Sequence, residues 1–110
     1  MTYTPRNYIL KGSKVVPTDV ETWGEWFGNA DRILSQVRVG DFYVSTVFIG
    51  IPGGLFETMV LNYNEDSEKQ DHADLFQERY QTWKEAFDGH CKIVYYIHKN
   101  RRVPTYDEPF

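Results

Sequence analysis

From Arg32 to Leu61 the chain reads RILSQVRVG, DFYVSTVFIG and IPGGLFETMVL: three strand-like runs divided by glycine. No other part is as dense in Val, Ile, Phe, Tyr and Thr, the residues that fit a pleated and half-buried surface. The first break is Gly40-Asp41. A Gly-X pair between β-rich runs fits a two-residue hairpin, because glycine supplies the positive φ that a twist-matched turn demands. The second is Pro52-Gly53-Gly54, where proline has no N–H for a ladder and the glycines let the chain turn. A three-stranded antiparallel meander follows. In its middle strand Phe42, Val44, Thr46 and Phe48 point one way, and Tyr43, Ser45, Val47 and Ile49 the other. Both rows are largely apolar or small, so this strand is expected to be central and covered at least partly on both faces.

Size sets what this ribbon joins. At 110 residues the chain is one domain, able to bury a core without staples. Its 7 Phe, 8 Tyr and 3 Trp are too many rings to bury completely, so some are expected at a surface or groove. A net charge of -4 argues against duplex nucleic acid, which wants phosphate-neutralising Lys and Arg. The single cysteine, Cys91, excludes an internal disulfide and suits a reducing compartment. No apolar run reaches the roughly 20 residues of a membrane span, and MTYTPRNYIL has no signal-peptide core.

Flanking elements read as follows. Tyr8–Leu10 and Lys14–Val16 form a small hairpin at a sheet edge, and Pro17 stops its second strand. Thr18-Asp19-Val20-Glu21 is a capping box opening a helix, with Val20, Trp23, Phe27 and Ala30 as its apolar stripe and Trp26 widening it. Gly24 is expected where this helix closely approaches the sheet, and the helix ends near Gly28-Asn29. Residues 62–72 are polar and acidic, an exposed mobile loop. Ala73–Arg79 is a helical turn, or Glu78–Gln81 a brief strand. Thr82-Trp83-Lys84-Glu85 is a second capping box, followed by a stripe of Trp83, Ala86, Phe87, His90, Val94 and Ile97. The β-prone run Ile93–Ile97 competes with a strand after Gly89. One helix is preferred because the stripe keeps phase. Residues 103–110 form a C-terminal tail.

The string Trp23-Gly24-Glu25-Trp26-Phe27, Ala30-Asp31-Arg32, Val44-Ser45-Thr46-Val47-Phe48, Leu55-Phe56-Glu57-Thr58-Met59-Val60, Arg79-Tyr80-Gln81-Thr82-Trp83-Lys84-Glu85-Ala86 and Gly89-His90 resembles a family of short, mostly uncharacterised proteins encoded by tailed phages and prophages. The likeness runs from Trp23 to His90. It implies phage origin and a host-cytoplasm setting, and it implies no mechanism. The chain departs from the family in its longer acidic loop at 62–72, and in Ile93-Val94-Tyr95-Tyr96-Ile97 where an alanine-rich helix is expected.

Candidate chemistry is sparse. Glu57 shares a strand row with Leu55, Met59 and Leu61. Burial without a partner would raise its pKa and make it a general acid or base. The favoured alternative is a rim carboxylate paired with Arg32 or Arg38. His90 on the apolar helix face is a proton shuttle near Glu57 or, the preferred reading, a core histidine bonded to a backbone carbonyl. His72, His90 and His98 lack ligand spacing, so no metal and no cofactor is expected. Cys91 and His90 point about 100° apart on a helix, a poor thiolate–imidazole pair. Ser45 and Thr46 have no nucleophile elbow, and Pro52-Gly53-Gly54 is no phosphate loop. Asp31-Arg32 reads as a local salt bridge at the helix-to-strand corner. The rings Trp26, Tyr43, Tyr63, Tyr80, Tyr95 and Tyr96 are the stronger signal, because Tyr and Trp offer large contact area at low entropy cost and stack on bases.

The expectation is an α+β domain: an antiparallel sheet of three to five strands with two helices packed on one face. The leading function is a non-enzymatic phage accessory protein that binds a host protein, a defence or metabolic factor. The alternative is a homo-oligomer that binds or sequesters a nucleotide-like ligand, and the weakest is a hydrolase using Glu57 and His90. Candidate binding residues are Trp26, Tyr43, Glu57, Tyr80, His90, Tyr95, Tyr96 and Arg101. No membrane partner is expected.

Overall fold

Both glycine-bearing breaks become hairpin turns. In the computed structural model, which describes residues 7–64, 69–70 and 75–105, the elements in chain order are β1 (Asn7–Lys11), β2 (Lys14–Thr18), α1 (Val20–Asn29), β3 (Ile33–Val39), β4 (Phe42–Ile51), β5 (Gly54–Asn64), β6 (Lys69–Gln70), β7 (Phe76–Tyr80) and α2 (Trp83–Asn100). β3, β4 and β5 are the antiparallel meander. β7 pairs with β5 over Phe56 to Val60, and the two-residue β6 pairs with its far end. β1 and β2 form a separate two-stranded sheet. This is the expected α+β architecture.

The turns follow backbone sterics. Val39 pairs with Phe42 across Gly40-Asp41, and Gly40 takes φ 61. Ile51 pairs with Gly54, and Pro52 followed by Gly53 at φ 86 matches a type II turn. Between Phe48 and Ile51, β4 carries one residue more than β5, a bulge that bends the strand next to the turn.

Register then decides the faces. Val44, Thr46 and Phe48 pair with Val60, Thr58 and Phe56, which in turn pair with Phe76, Glu78 and Tyr80. All of these except Glu78 are buried. α2 lays Ala86, His90, Ile93 and Ile97 across this face. α1 sits at one end of the same face, with Trp26 edge-on to Phe48 at 5.5 Å. Burying a ring such as Phe48 or Phe56 stabilises by about 2 kcal/mol, and both are fully buried.

Several local expectations need correction. The N-cap of α1 is Asp19, not Thr18: its Oδ1 accepts from Thr22 N at 2.7 Å and its Oδ2 from Thr22 Oγ1 at 2.9 Å. Those bonds, the backbone one foremost, hold the Asp19 carboxyl below its usual range. Thr18 is still strand, because Pro17 does not stop β2. Pro17 pairs with Tyr8 in a strand whose other edge has no partner among the described residues, so the missing proline N–H costs no ladder bond. No residue of α1 is buried, Val20 is 64% exposed, and nothing crowds Gly24. In α2 the buried stripe is rotated: Ile93 is inside and Phe87 is 53% exposed.

The second cap forms as expected. Glu85 N donates to Thr82 Oγ1 at 3.1 Å, and that hydroxyl donates to the Glu85 carboxylate at 3.0 Å. The helix continues unbroken past Gly89 to Asn100, so 91–98 is helix. Within 62–72, Asn62 to Asn64 belong to β5 and Lys69–Gln70 is β6; residues 65–68 and 71–72 lie outside the described residues. Phe76–Tyr80 is a strand, which excludes the helical turn. In the region read as a tail, Val103 packs on the core and Pro104 is buried, while 106–110 lie outside the described residues. The second face of β4 carries no helix among the described residues, against the expectation of cover on both sides; Tyr43, Ser45, Val47 and Ile49 are half-buried.

Candidate binding surface

The polar groups that looked chemical are separated by the sheet. Glu57 pairs in register with Val47 and Arg79, on the helix-free face. Its carboxylate accepts from Arg79 Nε at 2.9 Å and from Gln77 Nε2 at 2.5 Å. Arg79, not Arg32 or Arg38, is its cation. Burial without a partner, the condition for acid–base chemistry, is therefore not met. The Arg79 stem reaches its place across Gly54, where a side chain would collide with it: a methyl there would lie 2.6 Å from Cδ.

His90 lies on the other side of the sheet, beneath α2. Its Nδ1 is 2.7 Å from Thr46 Oγ1, and that oxygen is 2.5 Å from Thr58 Oγ1. The partner is a hydroxyl, not the backbone carbonyl expected. Burial pushes the imidazole below its ordinary pKa, which favours the neutral ring that a hydroxyl pair satisfies. Tyr80 completes this buried polar layer. Its OH makes no hydrogen bond; the Thr58 hydroxyl exerts a lesser, opposing influence without reaching bonding geometry. Burial foremost, with Glu78 adding, pushes the phenol up to about 12. The adjacent Thr pair across β4 and β5 is a feature that strand-row reasoning passed over. Two threonines on neighbouring inward rows were its only sequence signal.

Surface aromatics split into two groups. Tyr80 is buried in the core beside Phe48, Phe56 and Ala86, and the half-buried Trp26 packs against the same cluster. Tyr43 and Tyr63 remain on the helix-free face, their rings stacked at 6.2 Å, with the Arg38 guanidinium 4.3 Å from the Tyr63 centroid. Tyr43 OH donates to Gln36 Oε1 at 3.0 Å, and Gln36 Nε2 donates to Ser45 Oγ at 2.8 Å. This row fixes the orientation of Tyr43 and leaves Val47, Met59 and Leu61 half-buried beside it. On α2, Tyr95 is 64% exposed, and Tyr96 lies under the Arg102 guanidinium at 5.3 Å. Arg101 is the left-handed C-cap, its N–H donating to Ile97 O at 2.8 Å.

At the α1–β3 corner Asp31 and Arg32 form no salt bridge. Asp31 Oδ1 accepts from Ile33 N at 3.1 Å. Arg32 Nε donates to Phe27 O at 3.1 Å, and its guanidinium lies 3.5 Å from the Phe27 centroid. Cys91 is exposed while its neighbour His90 is buried, so the two do not pair. Among the described residues no three His, Cys, Asp or Glu side chains gather to hold a metal ion, and no helix is long and apolar enough to cross a membrane.

Among the described residues the arrangement offers a surface for contact, and Glu57 and His90 stand on opposite faces of the sheet. Comparison of the chain with models of protein families, with curated proteins and with solved structures found no match.

Proposed function

We propose that the protein acts by binding, not catalysis, and that it docks a host protein through the helix-free face of its sheet. The observation that carries this is the row of half-buried Val47, Met59 and Leu61 ending in the Tyr43–Tyr63 stack, with no element packed over it among the described residues. A β-sheet face normally buries its apolar row, and rigid Tyr rings are favoured contact residues at interfaces. The likeness to small phage and prophage proteins supports the reading of an accessory protein working in the host cytoplasm on a defence or metabolic factor; that step is analogy. Exchange of Met59 for lysine places a charge in the centre of the face. It is expected to abolish capture of the partner from infected cells while thermal unfolding stays unchanged. Retained capture sinks the reading.

A second reading is favoured by one geometry. Arg38 over Tyr63, beside Tyr43, is a ready stacking platform for a nucleobase. It predicts a thermal shift of several degrees with nucleotides and loss of that shift in Tyr63→Ala. A hydrolase using Glu57 and His90 finds no support, since the two lie on opposite faces of the sheet.

A further inference from the structure

The hollow between the β3–β4 turn and the last turn of α2 carries one charge of each sign. Val39, Gly40, Asp41, Phe42, Ile97 and Arg101 line it, around about 290 Å³ of space with its open mouth included. Its floor is the end of the core: Val39 and Ile97 are buried, and the half-buried Phe42 packs against their cluster. Asp41 and Arg101 line it from exposed positions. Among the described residues neither of these side chains has a hydrogen bond or an ion pair, with each other or with a third group. Two opposite charges that share an apolar hollow and do not close on each other leave both for an occupant.

Arg101 is held there against a local preference. Its φ is 60, the left-handed C-cap conformation where glycine is favoured because a Cβ is strained. Among the described residues no other non-glycine has a positive φ. Residues kept in such conformations cluster at ligand sites.

Charge narrows the occupant. A simple anion would meet Arg101 and be repelled by Asp41; a metal ion or a simple amine would meet the reverse. The other nearby cations are engaged or turned away. His98 and Lys99 stand about 100° and 200° round the helix from Ile97 and do not line the hollow. The Arg102 guanidinium lies over Tyr96, and that of Arg38 over Tyr63. The hollow is therefore locally neutral, although the whole chain carries -4. The negative end of the α2 dipole joins Asp41 in favouring an ammonium. A floor of three apolar side chains suits one aliphatic group.

We propose that this hollow binds a free α-amino acid with an aliphatic side chain. Its carboxylate meets Arg101, its ammonium meets Asp41, and its side chain lies on Val39, Phe42 and Ile97. The site is on the α2 side of the sheet and rests on neither reading of the helix-free face.

The test titrates the full chain with L-leucine and follows the methyl resonances of Val39 and Ile97 by NMR. Leucine should move both saturably, with half-saturation at about 1 mM or below. Leucinamide lacks the carboxylate and N-acetylleucine lacks the ammonium. Each should bind about tenfold more weakly, the loss of one charge-assisted contact. Variants should reproduce the pattern. Arg101→Gly removes the guanidinium and relieves the backbone, so it should raise the thermal midpoint and bind leucine no better than leucinamide. Asp41→Asn should keep the fold and bind leucine no better than N-acetylleucine. The dipeptide Leu-Leu separates a free amino acid from the end of a peptide chain: its charges stand further apart, so it should bind more weakly than leucine. No saturable shift by about ten times the expected concentration, analogues or dipeptide as tight as leucine, or variants that still prefer leucine to the matching analogue would each overturn the proposal. Met59→Lys should bind leucine normally, so failure here and failure of the docking reading are told apart.

Discussion

Gly24 and Gly89 both stand inside helices, and the structure assigns the same substitution opposite signs at the two sites. An alanine in place of an exposed helix-interior glycine is worth about 1 kcal/mol in propensity. At Gly24 nothing lies within 4 Å of where the methyl would go, and the residue has no positive φ, so Gly24→Ala should realise most of that gain. At Gly89 the methyl would lie 2.5 Å from both Cε1 and Cζ of Tyr80, and close upon its hydroxyl. An ordinary carbon contact is about 3.5–4.0 Å, so the ring must retreat by about 1 Å. It has nowhere to go: Tyr80 is 6% exposed and sits in β7 opposite Phe56. Overpacking of this kind costs about 1–3 kcal/mol, here toward the upper end because the ring is stiff. The net effect of Gly89→Ala is then a loss of about 1–2 kcal/mol, and the two variants should differ by about 2–3 kcal/mol. In urea titrations they should bracket the natural chain, with midpoints separated by roughly 10 °C in thermal scans. A Tyr80→Leu background should shrink the penalty at Gly89 and leave the gain at Gly24 alone, as a double-mutant cycle would report. A Gly89→Ala protein as stable as Gly24→Ala would refute the reasoning and mean that Tyr80 does not rest on the helix backbone.

Other expectations follow from the buried polar layer and the open face. Tyr80 is held neutral in the fold with its pKa near 12 against about 10 in the unfolded chain, so its contribution is complete below pH 10 and is lost as pH rises toward 12. Tyr80→Phe should flatten that alkaline decline and, by removing an unbonded buried hydroxyl, leave neutral-pH stability unchanged or higher by about 1 kcal/mol in urea unfolding. For His90 the sign is reversed: its folded pKa lies below the unfolded value of about 6.5, so stability is full above that pH and falls below it until the folded ring itself protonates. His90→Leu should lose that acid slope in denaturant midpoints taken from pH 7 to 4; an unchanged slope would place its cause elsewhere. Arg79→Met leaves Glu57, 8% exposed, with Gln77 alone, and should cost about 1–2 kcal/mol. A smaller loss in a Glu57→Leu background would confirm that the pair is the cause.

What could be read from the chain alone tracks the range of the forces involved. Gly40-Asp41 and Pro52-Gly53-Gly54 encode their turns within two or three residues, so the meander was legible. Thr82 and Glu85 lie within one helical turn, and that cap was legible too. The cap of α1 was misplaced by one residue because the fate of Pro17 depends on Tyr8 across a hairpin, not on its neighbours. The buried stripe of α2 was rotated because Phe87 is as apolar as Ile93, and only the sheet beneath decides which of them it meets. Glu57 was correctly expected to find a cation, but the wrong one: Arg79 comes from β7, a strand the sequence offered only as an alternative to a helical turn. Its separation from His90 by a whole sheet is a product of register, where a slip of one residue exchanges the faces. The Tyr43–Tyr63 stack likewise joins residues twenty positions apart, while Arg101 at positive φ violates a local preference and was not foreseen as such.

That α1 holds no buried residue has a thermodynamic consequence of its own. The helix is tethered to the rest through two indoles and one arginine, whereas α2 is clamped along its length by four inward side chains. Native-state openings should therefore be hierarchical: the amides of α1 lose protection at a free energy well short of global unfolding, and those of Ile93 and Ile97 only with it. The molecule behaves less as one cooperative unit than as a firm keel with a lightly moored outrigger.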